Sequence, residues 1–162
     1  MPSIEWVVFD VGETLVDETR YWRQWGARLG LPEFTWLAIL GGVIARNLDH
    51  RQAFRVVDPS FDLAAAIRQY DDEGAFGPGD CWWSTEDLYA DVVPCLAELR
   101  AHGYRIGIAA NNNQADRVAL AEQLRGCGIE FDFAASSAAW DVWKPDPRFF
   151  RLLVEEAAAP PE

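Results

Sequence analysis

Two residues, Asp10 and Lys144, have the types and surroundings that most readily do chemistry. Asp10 ends an apolar run, IEWVVFD (residues 4–10), and the chain then breaks at once into VGETL. A carboxylate at the tip of a buried strand stands where open α/β sheets bind ligands, beyond the strand ends and near a switch in strand order. There it can act as a nucleophile or ligate a hard cation. Lys144 is the single lysine among fourteen basic residues, the other thirteen being arginine. An ammonium is a compact point charge on a flexible stem, a property the planar guanidinium fork does not reproduce. Between them, Asn111, Asn112 and Asn113 follow a second apolar run, YRIGIAA, and open a helical stretch. Asparagines there cap a helix, or the helix-opening amides hold an anion; the two readings carry equal weight. An acid, a helix N-terminus and a cation at one sheet edge could position, bind and neutralise a transferring phosphoryl group.

The elements that must position these groups follow from hydrophobic periodicity. Residues 4–10 read as a strand buried on both faces, as in a parallel sheet. From about residue 18 to 70 the pattern turns helical. Tyr21, Trp22, Trp25 and Leu29 share one face before a stop at Gly30, and Pro32 opens PEFTWLAILGGVIARNL. HRQAFRVV and a segment from Asp62 bearing Leu63, Ala66, Ile67 and Tyr70 add two shorter helices. DDEGAFGPGD (residues 71–80) is a loop by composition, and its acids Asp71, Asp72 and Glu73 read as a solvated turn. Pro94 must sit in a first turn, so the next helix starts near Val92 and stops at Gly103. YRIGIAA is a strand, NNNQADRVALAEQLRGCG a helix, FDFAAS a third strand and PRFFRLLVEEAAA a helix. Strand–helix alternation of this kind predicts an α/β fold with a parallel, Rossmann-like sheet and right-handed crossovers. The expected division is a core of residues 1–16 and 88–162, with an all-helical insertion at 17–87.

Composition narrows the partners. Half of the 162 residues are apolar, so a sizeable core can form, and the formal net charge is −12. Such a surface repels phosphate backbones and anionic membranes, so neither nucleic acid nor a membrane is expected as a partner. No segment approaches the roughly 20 apolar residues needed to cross a bilayer. The N-terminus has no basic region ahead of its apolar run, so it is not read as a secretory signal. Cys81, Cys95 and Cys127 are odd in number and lack CxxC spacing, which points to reduced core thiols in a cytoplasm.

FDVGETL, IAANNNQ and WKPDPRFF together resemble the haloacid dehalogenase (HAD) superfamily, in the branch with a helical cap inserted after the first strand. The resemblance covers essentially the whole chain. It implies that Asp10 is the nucleophile, which becomes an aspartyl-phosphate and also ligates Mg²⁺. It implies that the backbone carbonyl of Gly12 is a second metal ligand. Lys144 would hold the charges of nucleophile and phosphate together, and Asn111 and Asn112 would belong to the phosphate cradle. Eight tryptophans accompany the motifs. Trp22 and Trp143 are substrate-binding candidates, placed to line a cleft between cap and core, with packing as the plainer role for most of the eight.

The sequence also departs from the family pattern. The acid two residues after the nucleophile is replaced by Gly12, and the Thr or Ser ending the second motif strand by Ala110. A general acid–base is typically worth on the order of 10²–10⁴ in rate. No Gly-Asp-x-x-x-x-Asp motif follows the third strand, so the Mg²⁺ site is expected to be weak or incomplete in this chain, either as a fragment or as a domain that has changed role. The leading expectation is a small-molecule phosphate monoester phosphatase with Mg²⁺, impaired in this length of chain. The alternatives are a catalytically inactive HAD-like binding domain and a 2-haloacid dehalogenase-like enzyme. The substrate is expected to be small and phosphorylated, and an oligomer is compatible with the sequence.

Overall fold

The computed structural model describes residues 4–72, 83–112 and 117–158. The elements run β1 (Trp6–Phe9), α1 (Thr19–Arg28), α2 (Glu33–Ile44), α3 (Gln52–Val57), α4 (Leu63–Asp72), a 3₁₀ turn (Thr85–Asp87) and α5 (Val92–Ala101). They continue with β2 (Arg105–Ala110), α6 (Arg117–Gly126), β3 (Phe133–Ser136), α7 (Ser137–Trp140) and α8 (Pro147–Ala158). Two compact units result: Met1–Asp17 with Trp83–Glu162, and Glu18–Trp82.

The first unit is built on a parallel sheet in the order β1-β2-β3. Phe9 pairs with Ile108, and Ala110 with Ser136, so the three strands end almost level. The α/β, Rossmann-like architecture is therefore as expected, and the central strand carries the core. Ile106 and Ile108 are fully buried among Val11, Leu96, Leu124 and Ile129. Burying such side chains stabilises by roughly 1.5–3 kcal/mol each. Gly107 has a packing role. A Cβ there would come within 2.5 Å of the Phe133 ring, which lies across β2 and reaches Trp6 on β1 at 5.0 Å. β1 is only half-buried along its length, not enclosed on both faces as its apolar sequence implied. It stands at the edge of the described sheet, with β2 alone beside it.

After β1 the chain tightens into one turn, in which the amides of Leu15 and Val16 both donate to the Val11 carbonyl. Residues 15–17 then run antiparallel to 87–89, Asp17 N–H donating to Asp87 O at 2.8 Å and Tyr89 N–H to Leu15 O at 3.2 Å. The sequence placed residues 83–87 in the helical insertion; the structure places them in the sheet unit. Trp83 packs against the sheet core and its carbonyl accepts from Gln123 Nε2, contacts that no local periodicity announces.

The second unit is helical. Tyr21, Trp22 and Trp25 of α1 meet Trp36 and Leu40 of α2 and Phe54 of α3 in one aromatic cluster. Gly26 permits the close approach of α1 to α2, since a Cβ would stand 2.8 Å from Cδ1 of the fully buried Trp36. Gly30 ends the first helix at φ +67°, a conformation glycine adopts without penalty. Helix α2 stops at Ile44, short of the Leu48 to which its apolar run extends, with Asn47 at φ +56°. Helix α4 continues through Asp72 where a loop was expected from residue 71, and the rest of that loop lies outside the described residues. Among the described residues no single helix is long and apolar enough to cross a membrane.

Candidate functional site

The site is assembled at the carboxyl ends of the three strands. One residue beyond the Phe9–Ile108 pair, Asp10 stands level with Ala109 at the end of β2. Its Oδ1 accepts the Val11 amide at 2.8 Å and lies 2.6 Å from the Lys144 ammonium. Among the described residues, Oδ2 accepts no hydrogen bond, and the side chain is 51% exposed. One oxygen is thus anchored while the other is available to a ligand.

Lys144 reaches this point from the far side of the sheet sequence, and its side chain is only 17% exposed. Its ammonium also donates to the Ala109 carbonyl at 2.7 Å. The Lys144–Pro145 peptide is cis. The backbone of Lys144 is gripped by Asn111, whose Nδ2 donates to Lys144 O at 3.0 Å and whose Oδ1 accepts from Lys144 N–H at 2.8 Å. The Asn111 amide therefore ties the end of β2 to the lysine segment. The downstream helix is capped locally: Asp146 Oδ1 accepts the Arg148 amide behind a first-turn Pro147. Hydrogen bonds from Arg148 hold the Asp146 carboxyl below its ordinary pKa of 3.8.

Asn112 faces the end of β3 instead. Its Oδ1 accepts from the Ser136 hydroxyl, its amide donates to Ser137 Oγ at 3.1 Å, and Ser137 Oγ donates to its carbonyl at 3.1 Å. Ser136 and Ser137 are fully buried. Sequence reasoning passed over both serines. The rule that singled out Asp10, a polar residue at a strand tip, would also have found them at the end of FAAS.

Trp22 and Trp143 part company. Trp22 is 7% exposed and belongs to the aromatic core of the helical unit, with its indole N–H donating to Glu18 at 3.2 Å. The ring offered for substrate packs against Trp36, His50 and Phe54. Trp143 directly precedes Lys144 and is half-buried, and its carbonyl accepts the Asp146 amide. Asn113 and the amides that open the helix after β2 lie outside the described residues.

A metal ion needs more than this donor set offers. Among the described residues no group of three or more His, Cys, Asp or Glu side chains could hold one. Mg²⁺ takes near-octahedral oxygen coordination, usually with one or two carboxylates plus substrate oxygens and water. The implied donors are Asp10, whose Oδ1 already meets an ammonium, and the Gly12 carbonyl. These residues alone do not fit a resident Mg²⁺. Glu13, at φ +54°, turns its carboxylate to the Tyr89 hydroxyl at 3.0 Å.

Comparison with known proteins agrees with this arrangement. The sequence model described as haloacid dehalogenase-like hydrolase matches residues 4–162. No curated protein matches the sequence. Among solved structures, a haloacid dehalogenase-like hydrolase from Bacteroides fragilis is 23% identical with a TM-score of 0.61, over 96% of this chain and 73% of that one. A dehalogenase is 20% identical with a TM-score of 0.59, over 100% of this chain and 75% of that one. The L-2-haloacid dehalogenase of Xanthobacter autotrophicus, solved with chloropropionic acid covalently bound, is 20% identical with a TM-score of 0.58, over 98% and 66%. These likenesses establish the fold, and the chain spans two thirds to three quarters of the length of those proteins.

Proposed function

The chain belongs to the haloacid dehalogenase-like hydrolases, and on that premise we propose that it displaces halide from a small 2-haloacid through Asp10. The observation that carries this reading is the Asp10 carboxylate, with Oδ1 fixed by Lys144 and Val11 and Oδ2 available. Oδ2 attacks the carbon bearing the halogen, a C–O bond forms as the C–halogen bond breaks, and the halide leaves with the electron pair. Water then cleaves the resulting ester at its carbonyl, releasing a 2-hydroxyacid and a proton and restoring Asp10. Such a displacement needs neither a general acid at position 12 nor a metal-bound phosphate, which suits Gly12 and the donor set at the strand ends. The Lys144 ammonium offsets the repulsion between the Asp10 carboxylate and the carboxylate of the substrate. Asn111 holds the lysine segment in place.

Hydrolysis of a small phosphate monoester is the second reading. It is favoured by the convergence of a strand-tip carboxylate, an ammonium and polar strand ends, which would also suit a phosphoryl group. It requires Mg²⁺ ligands beyond those described. The two readings separate in one experiment. Chloride release from 2-chloropropionate is measured with and without Mg²⁺, beside release of nitrophenol from p-nitrophenyl phosphate. Chloride release without added Mg²⁺, abolished by Asp10→Asn, is the expected result. Mg²⁺-dependent nitrophenol release alone would replace the first reading by the second. Turnover of neither compound would leave a HAD-like binding domain.

A further inference from the structure

We infer that Ser137 is a positioning residue that holds Lys144 against Asp10, acting through Asn112, Asn111 and the loop that carries the lysine. The inference rests on the reading of Asp10 and Lys144 as the working pair of the site. Ser137 is fully buried at the end of β3 and opens α7. Its Oγ accepts the Asn112 N–H at 3.1 Å and donates to the Asn112 carbonyl at 3.1 Å, so one hydroxyl holds both polar groups of that backbone residue. Asn111 does the same to Lys144 with the two ends of its amide, at 2.8 and 3.0 Å. The Ser137 carbonyl in turn accepts the Val142 N–H at 3.2 Å, two residues before the lysine. These bonds close a ring that runs from Ser137 to Asn112, along the chain to Asn111, across to Lys144, and back through Val142. Ser137 is bonded to both arms of it, the tip of β2 and the lysine loop.

The ring joins a buried end to an exposed one. Asn111 is exposed, so water competes for its amide, and its bonds to Lys144 contribute little unless its backbone is already fixed. Which rotamer a side chain adopts depends on the φ and ψ of its residue. Fixing the Asn112 N–H fixes the peptide plane that sets ψ of Asn111. Water is excluded from Ser137, and α7 behind it is packed by Trp140 on the fully buried Phe149, with ring centroids 5.0 Å apart. A rigid anchor therefore backs an exposed grip. Lys144 meets Asp10 at 2.6 Å, and a displacement of about 1 Å at a working group can cost about 10²-fold in rate. Ser136 supplies the comparison. It is buried as completely, but it donates to Asn112 Oδ1, a side-chain atom outside the ring.

Lys144 is the single lysine of the chain, so protein labelled with 15N-lysine shows one backbone amide signal, from the N–H that donates to Asn111 Oδ1. The test follows hydrogen exchange of that amide in the full chain, beside chloride release from 2-chloropropionate. The variants are Ser137→Ala, Ser136→Ala, Asn111→Ala and the Ser137→Ala/Asn111→Ala pair. Exchange should quicken about fivefold or more in Ser137→Ala and less than about twofold in Ser136→Ala, while the thermal midpoints of the two fall alike. In Ser137→Ala kcat should fall about fivefold with KM within about twofold, and in the Asn111→Ala background the same change should have no further effect. Equal quickening by both serine variants overturns the inference, and so do losses of rate that multiply in the double variant. The exchange measurement needs no substrate. A parent that releases no chloride therefore counts against the proposed reaction alone, and the exchange rates still decide the role of Ser137.

Discussion

Replacing Lys144 by Met tests the site at its most informative contact. At 2.6 Å two opposite unit charges attract by about 1.6 kcal/mol at the dielectric of water and about 6.4 kcal/mol at an effective value of 20. Asp10 is half exposed and can rehydrate, so the loss to stability lies near the lower figure. The hydrogen bond to the Ala109 carbonyl raises it to about 2–3 kcal/mol. The catalytic effect should be larger. An anionic substrate brings a second negative charge to Asp10, and two like charges about 4 Å apart repel by about 4 kcal/mol at an effective dielectric of 20. Without the ammonium most of that repulsion returns, which lowers kcat/KM by about 10²–10³, or roughly 3–4 kcal/mol. Lys144→Arg should recover only part of it, because the planar fork cannot meet Asp10 Oδ1 and Ala109 O with the same compact charge. The assay is initial-rate chloride release from 2-chloropropionate, run beside thermal unfolding of each variant. A Lys144→Met protein within about fivefold of the parent rate would refute the charge-offset argument.

Two further substitutions probe how the site and the fold are held. Asn111→Ala removes both bonds that grip the Lys144 backbone and should lower kcat about tenfold, or about 1.4 kcal/mol, with circular dichroism unchanged. Asn111→Asp, which keeps the acceptor for Lys144 N–H, should fall between the two, and equal rates for all three proteins would remove Asn111 from its positioning role. Gly26→Ala forces a methyl against the buried Trp36 ring. Overpacking of about 1–3 kcal/mol should outweigh a helix-propensity gain of about 1 kcal/mol, so the thermal midpoint falls, and a rise would show that α1 and α2 separate easily.

Much of the fold was legible because its signals are local. The helix from Val92 was placed by Pro94, which tolerates only a first turn, and the stop at Gly30 by a residue that adopts φ +67° freely. The strand in YRIGIAA was legible from the apolar run IGIAA that follows Arg105, which a central parallel strand requires. Position within the sheet was not legible. β1, WVVF, is apolar throughout and β2 begins with Arg105, yet β1 is half-buried and β2 is enclosed from Ile106 onward, because enclosure depends on neighbours and not on composition.

The same division holds at the site. By itself the sequence determined that a carboxylate ends the first strand, that one lysine stands before a Pro-Asp-Pro turn, and that asparagines follow the second strand. Residue types and strand ends are enough for that, since a parallel sheet must gather its carboxyl ends along one edge. Only the tertiary structure decided what each group does there. It brought Lys144 within 2.6 Å of Asp10 across 134 positions of sequence, turned Asn111 to the lysine backbone, and linked Asn112 to two buried serines. It also enclosed Trp22 in the aromatic core of the helical unit. Those outcomes rest on contacts between segments far apart in the chain, whose register is set by packing, and no local pattern encodes it.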